Sequence, residues 1–273
     1  MIQEKAMLVQ LTVNQWTARK QDKKVTAEVE ITHGAHDAGR FNKDLVSKAL
    51  LAPISKLAAA TREQHYKLTH AWNDNGQRLL PSALFMDYNT MLRTARAEFQ
   101  KLVRDMVAAY PAEVQAARTR LGSMYDPDDY PRVEVLHEKF NLDAEFNPVP
   151  DAKDFRVDVG NEAVEEIKAN ITHNVVLKQA KAVEATYARI KDVVSKLEER
   201  LSDPKAIFKD SLISNVSDLR AVLQGLNITD DPLISELYDD MTALIEPPSQ
   251  LRSSMSLRAK VAQRAATVLA KLP

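Results

Sequence analysis

Apolar and polar positions alternate with period two over the first 32 residues and fall on helical stripes over most of the rest. Met7, Val9, Leu11 and Val13 alternate with Leu8, Gln10, Thr12 and Asn14. Beyond the basic cluster Arg19–Lys24, Val25, Ala27, Val29 and Ile31 alternate with Thr26, Glu28, Glu30 and Thr32. Period-two patterning with β-branched residues predicts an antiparallel hairpin with the basic cluster at its tip. A helix is the other reading of the second segment. His33–Gly39 reads as a loop.

A helical pattern then runs from Asn42 to about Trp72, with Leu45, Ala49, Leu50, Ile54, Leu57 and Leu68 on its apolar face. Pro53 kinks or divides it. Asn73–Gly76 is a turn signal. The next stripe is Tyr88, Leu92, Ala95, Phe99, Leu102, Met106 and Tyr110; Pro111 ends or bends it, and Val114, Ala117 and Leu121 continue it. Residues 122–160 break the pattern with a proline-punctuated turn at Asp126–Pro131 and a short helix at Arg132–Phe140. An extended stretch follows at Asn147–Asp151, and Phe155–Val159 alternates as a strand. Two strands alone are marginal, so this third one is expected to complete a sheet with the hairpin.

The strongest pattern lies between Asn161 and Leu201. Val164, Ile167 and Ile171 start a stripe, the phase slips near Asn174–Ala180, and Val183, Tyr187, Ile190, Val194, Leu197 and Leu201 follow at alternating spacings of four and three. Such a stripe packs against other long helices, with charged residues on the remaining faces. About 40 helical residues span about 60 Å at the α-helical rise. A globule of this chain length is only about 48 Å across, so the molecule is expected to be elongated or this helix to bend. Asp203-Pro204 and Asp231-Pro232 each pair an N-cap with a proline at the first helical position. Pro247-Pro248 precedes a last helix with Leu251, Met255, Val261, Ala265, Val268 and Leu272.

The predicted fold is therefore mainly α. It is an elongated antiparallel helical bundle with long coiled-coil-like helices, and a small antiparallel β-sheet formed by the N-terminal hairpin and a strand near 155–159. The expected division is a small β-containing part, 1–41 plus 122–160, and a helical bundle, 42–121 plus 161–273.

Composition agrees with this picture. Of 273 residues 45% are hydrophobic, 27% are charged and only 6 are glycine, which favours helix over sheet. Cysteine is absent, which removes disulfide and thiolate chemistry. The first residues lack the basic-then-apolar layout of a signal peptide, and no apolar run approaches the roughly 18 residues of a membrane span. The expectation is a cytoplasmic protein. A net charge of −1 gives no global attraction to nucleic acid. The charge is uneven, however. Residues 126–170 hold 13 acidic and 5 basic side chains, a balance of −8, while 251–273 hold 5 basic and no acidic ones. Such blocks are solvated surface or complementary contacts, between copies or within one.

No constellation carries a reaction. His33 and His36 are spaced for one metal ion, but they lie in a loop with no obvious third ligand, although Asp37 is adjacent. Asp126, Asp128 and Asp129 resemble the start of a calcium loop that lacks its glycine and terminal glutamate. Arg62, His65 and His70 on one helix, and His137 and His173 alone, read as paired or solvated surface groups. Trp16 and Trp72 read as core anchors; Trp16 could otherwise stack on a base beside the basic cluster.

The opening Leu11–Lys20, His33–Lys43, Trp72–Pro81 and Pro148–Val159 together cover about a quarter of the chain. In them the layout resembles a family of phage-encoded, mostly helical proteins of unknown function. The resemblance implies phage or prophage origin and expression in a bacterial cytoplasm, and it brings no active site with it.

The functional expectation is a non-enzymatic, self-associating structural or interaction protein without cofactor or metal. Its candidate contact stripe is Val183, Tyr187, Ile190, Val194, Leu197 and Leu201, which would otherwise be internal core, and its partner is a like copy or another protein. The alternative is a nucleic-acid-binding accessory of phage replication or recombination, contacting phosphate through Arg19, Lys20, Lys23, Lys24, Arg252, Arg258, Lys260 and Arg264. An unrecognised hydrolase or metalloenzyme is the third class.

Overall fold

A computed structural model describes residues 2–157 and 160–273. These residues are mainly helical with a small antiparallel sheet. In chain order the regular elements begin with α1 (Ile2–Lys5), β1 (Ala6–Asn14), β2 (Arg19–Gln21), α2 (Lys23–His33), β3 (Asn42–Asp44) and α3 (Lys48–Lys67). Then come β4 (His70–Ala71), β5 (Arg78–Pro81), α4 (Phe85–Leu121), α5 (Val133–Leu136), β6 (Asn141–Pro148) and α6 (Asn161–Ser202). The chain closes with α7 (Ser211–Leu226), α8 (Pro232–Asp240), α9 (Pro248–Ser253) and α10 (Met255–Ala270).

The expected hairpin is only half present. β1 is a strand, but its partner is β5, in antiparallel register from Ala6 opposite Pro81 to Val9 opposite Arg78. The sheet order is β4-β5-β1-β6. The second alternating segment is the helix α2, because local capping outweighs the alternation. Asp22 Oδ1 accepts from the amides of Lys24 and Val25, both at 3.1 Å. Gly34 closes the helix at φ 60°, ψ 28°, its amide facing the carbonyls of Glu30 and Ile31. The basic cluster is no hairpin tip either: Arg19–Gln21 forms β2, paired antiparallel with β3. The strand expected near 155–159 is also corrected. Phe155–Val157 follows a 3-10 turn with no regular structure, and Asp158 and Val159 lie outside the described residues.

The helical patterns survive better. α4 continues through Pro111 and α3 through Pro53. α3 begins only at Lys48, where the Ser47 hydroxyl accepts from the Leu50 amide and Glu113 receives both the Ser47 amide and its hydroxyl, at 2.9 and 3.0 Å. α6 is one helix of 42 residues. Asp231 caps α8 as its sequence indicates, accepting from the Leu233 amide at 2.9 Å. The Asp203-Pro204 signal starts no helix, since α7 begins at Ser211. The last helical stretch is divided in two, with Ser254 capping α10.

The chain forms two compact units, Met1–Gln10 with His65–Tyr88 and Glu145–Pro273, and Leu11–Gln64 with Asn89–Ala144. These boundaries differ from the expected β-containing and helical parts. The first unit has two cores. In one, Ile190, Val194, Leu197 and Leu201 of α6 meet residues of α7, α8 and α10, among them Val216, Leu237, Val261 and Ala265. In the other, Ile2, Ala6, Leu8 and Leu79 of the sheet region gather with Trp72, Val149, Val175 and Ala182. The second unit buries Ile54 and Ala58 of α3 and one face of α4, Leu92, Phe99, Val103, Met106 and Tyr110.

Candidate functional site

The second unit presents one helix in an unusual way. α2 is fixed at its start and uncovered along its length. Its N-cap residue Asp22 is buried, and so is Lys43 of β3, whose Nζ lies 2.7 Å from Asp129 and 3.6 Å from Asp22. The Lys43 ammonium also donates to the Met124 carbonyl. Burial alone would lower the lysine pKa; the two carboxylates outweigh it and raise it. The amide of Val25, followed by the charge of Lys43 and the amide of Lys24, holds Asp22 below the ordinary carboxylate value despite its burial.

Past this anchor α2 buries none of its own residues. Ile31 is 82% exposed and Val29 50%, and Phe41 behind them is 40% exposed. A hollow of about 280 Å³ opens between the helix and the following loop, lined by Thr26, Val29, Ala38 and Phe41 among others. The charges on α2 run against its dipole. Lys23 and Lys24 occupy the first turn, which holds no acid, and Glu28 and Glu30 lie in the later half. A helix N-terminus favours anions and its C-terminus cations, so the Asp22 cap agrees with the dipole of α2 while Lys23, Lys24, Glu28 and Glu30 run against it.

The stripe predicted on α6 lies elsewhere. Ile190, Val194, Leu197 and Leu201 are buried in the first unit's core, and Val183 and Tyr187 pack beside it, half-buried. Tyr187 donates to Asp231 at 2.7 Å; burial and that carboxylate push its pKa up to about 12. The stripe is therefore internal, and these six side chains leave no free apolar seam for a second copy.

The predicted basic contacts are mostly engaged within the chain. Arg19 meets Asp44 at 3.2 Å and Lys20 meets Asp129 at 3.7 Å. Arg252 pairs with Asp210 and lies over the Phe208 ring. Arg264 donates to the Ala243 carbonyl. Arg258 is 6% exposed and its guanidinium donates to the carbonyls of Arg200 and Leu201 in the last turn of α6 and of Asp203 and Ala206 just past it. Of these eight predicted contacts, Lys23, Lys24 and Lys260 are exposed and make no ion pair or side-chain hydrogen bond among the described residues. His33 and His36 are exposed, and among the described residues no group of three or more His, Asp or Glu converges as a metal site. Trp72 is buried, with the Lys178 ammonium over its ring; Trp16 is half-buried, edge-on to Tyr110 at 5.8 Å.

In sequence the helix of α2 is only the second reading of its segment, because Val29 and Ile31 also fit one strand face. The capping pair Asp22 and Gly34, eleven residues of helix apart, was the available signal. Sequence reasoning places His65 and His70 on a surface, whereas both are buried, with Thr69 and two arginines beside them. Among the described residues no helix is long and apolar enough to cross a membrane. No protein-family model matches this chain, and no curated protein or solved structure was found to be similar to it.

Proposed function

We propose that the chain is a non-enzymatic, self-associating interaction protein whose copies pair through α2, and, on the resemblance of its sequence, that it is of phage origin. The observation that carries this reading is α2 itself. It is an 11-residue helix with no buried residue, with apolar side chains in solvent and with Lys23, Lys24, Glu28 and Glu30 opposed to its dipole. An isolated helix of this length is marginal in water. A second copy laid antiparallel about a twofold axis brings Lys23 and Lys24 of each copy to Glu28 and Glu30 of the other. Ile31 and Val29 are then covered at the same time. The contact is small, so a weak, concentration-dependent dimer is expected.

Light scattering over a concentration series tests it. The wild type should shift from monomer toward dimer, less so at high salt, and Ile31→Glu should remain monomeric. Reversing Lys23 and Lys24 to Glu should weaken the dimer, and adding Glu28→Lys and Glu30→Lys should restore it. A wild type that is monomeric at every concentration, or a dimer indifferent to Ile31→Glu, overturns the reading.

A further inference from the structure

A second hollow in the same unit has a different character. It lies between the middle of α4, the 3-10 turn at His137–Lys139 and the start of β6, and measures about 330 Å³. Its apolar floor is Phe99, Val103 and Leu142, all buried. Phe140 stands beside that floor, half-buried, its ring 6.5 Å from Phe99 and inclined at 60°. The rim is polar. Arg96, Gln100 and Arg104 succeed one another at four-residue spacing and so share one face of α4. His137 and Asn141 close the other side.

These rim groups are available. Arg96 is held in place by Asp143. The side chains of Arg104, Gln100, His137 and Asn141 make no hydrogen bond or ion pair among the described residues and are exposed. An apolar floor with a few convergent polar groups, in a volume at the small end of ligand pockets, is the make-up of a small-molecule site. The chemistry narrows the ligand. A guanidinium is suited to phosphate, and Asp143 already offsets Arg96, which leaves Arg104 and His137 for one phosphate rather than a chain of them. Phe140 offers a face for a planar ring. The Gln100 and Asn141 amides each carry donors and an acceptor, which match the edge of a heterocyclic base.

We infer that this hollow binds one nucleotide unit, its base against Phe140 and its phosphate at Arg104. The unit is a free nucleoside monophosphate or one residue of a single strand. This site is separate from the pairing surface on α2 and stands or falls without it.

Isothermal titration of the full-length protein tests it, with AMP and UMP as probes, ribose 5-phosphate and adenosine as part-ligands, and a short single-stranded oligonucleotide. Both mononucleotides should bind more tightly than either part-ligand. Arg104→Gln removes an exposed charge and should weaken binding by at least about tenfold. Phe140→Leu keeps the floor apolar and should narrow the gap between AMP and ribose 5-phosphate. Circular dichroism melts of both variants report whether the fold is kept. An oligonucleotide tighter than the mononucleotides identifies a strand as the source, and equal or weaker binding identifies the free nucleotide. The inference is overturned by no binding of either mononucleotide up to millimolar concentration, by binding that Arg104→Gln leaves unchanged, or by ribose 5-phosphate binding as well as AMP.

Discussion

His65, in the last turns of α3, and His70, at the start of β4, sit among cations rather than acids. His65 Nδ1 lies 2.8 Å from the Tyr88 hydroxyl, and His70 Nε2 lies 3.1 Å from the Leu226 carbonyl, which it meets as a donor. Arg78 donates to the Thr69 hydroxyl and carbonyl, and Arg189 to the carbonyls of Tyr66, Lys67 and Thr69, capping the helix where its dipole is negative. Burial, with Arg78 as a second cause for His65 and Arg189 for His70, brings each imidazole down to about 4. A histidine held below its unfolded value stabilises the fold fully above about pH 6.5, and that stability is lost as pH falls toward the folded value. The unfolding free energy should therefore fall between pH 6.5 and 4 by an amount on the order of a few kcal/mol for the two groups together, and the urea midpoint with it. A flat midpoint across that window would show that these imidazoles are not held neutral. None of this was legible beforehand. The sequence pattern puts both on one helix, whereas His70 begins β4, and the Arg189 guanidinium that helps hold His70 neutral comes from more than a hundred residues away.

At the scale of elements, legibility tracked how local the determining contacts are. The heptad run of α6 and the Asp231 cap of α8 rest on residues within a few turns, and both hold in the fold. The basic residues of α10 look alike in sequence, yet Arg258 closes the end of α6 while Lys260 faces solvent; only tertiary placement separates them. α2 is the instructive failure, since its alternating valines and isoleucine suit a strand and its two caps decide for a helix. Asp22→Ala removes both the cap and one of the two carboxylates around buried Lys43. Loss of an N-cap alone costs about 1 kcal/mol. Hydrogen exchange of the Lys24–Ile31 amides should accelerate strongly in this variant, while α8 amides keep their wild-type rates. Unchanged protection in α2 would mean that the helix does not depend on Asp22. The same variant should weaken self-association, because the pairing surface is then lost with the helix.

For the whole molecule, the notable feature is the order in which the two units are written along the chain. Neither is continuous, and all four passages from one to the other fall inside regular elements: β1, α3, α4 and β6. Residues 145–273 hold most helices of the first unit but lack Ile2, Ala6, Leu8, Trp72 and Leu79, which share a core with Val149, Val175 and Ala182. That fragment, expressed alone, should keep helical circular dichroism and lose a sharp thermal transition; a cooperative melt like that of the full chain would show that the sheet segment is dispensable. The interleaving also bears on descent. A module carried on one stretch of gene can be traded by a pair of crossovers at its ends, but here each exchange would need breakpoints within helices and strands, at four places at once. A single crossover anywhere between residues 11 and 144 would therefore divide one unit or the other between two parents.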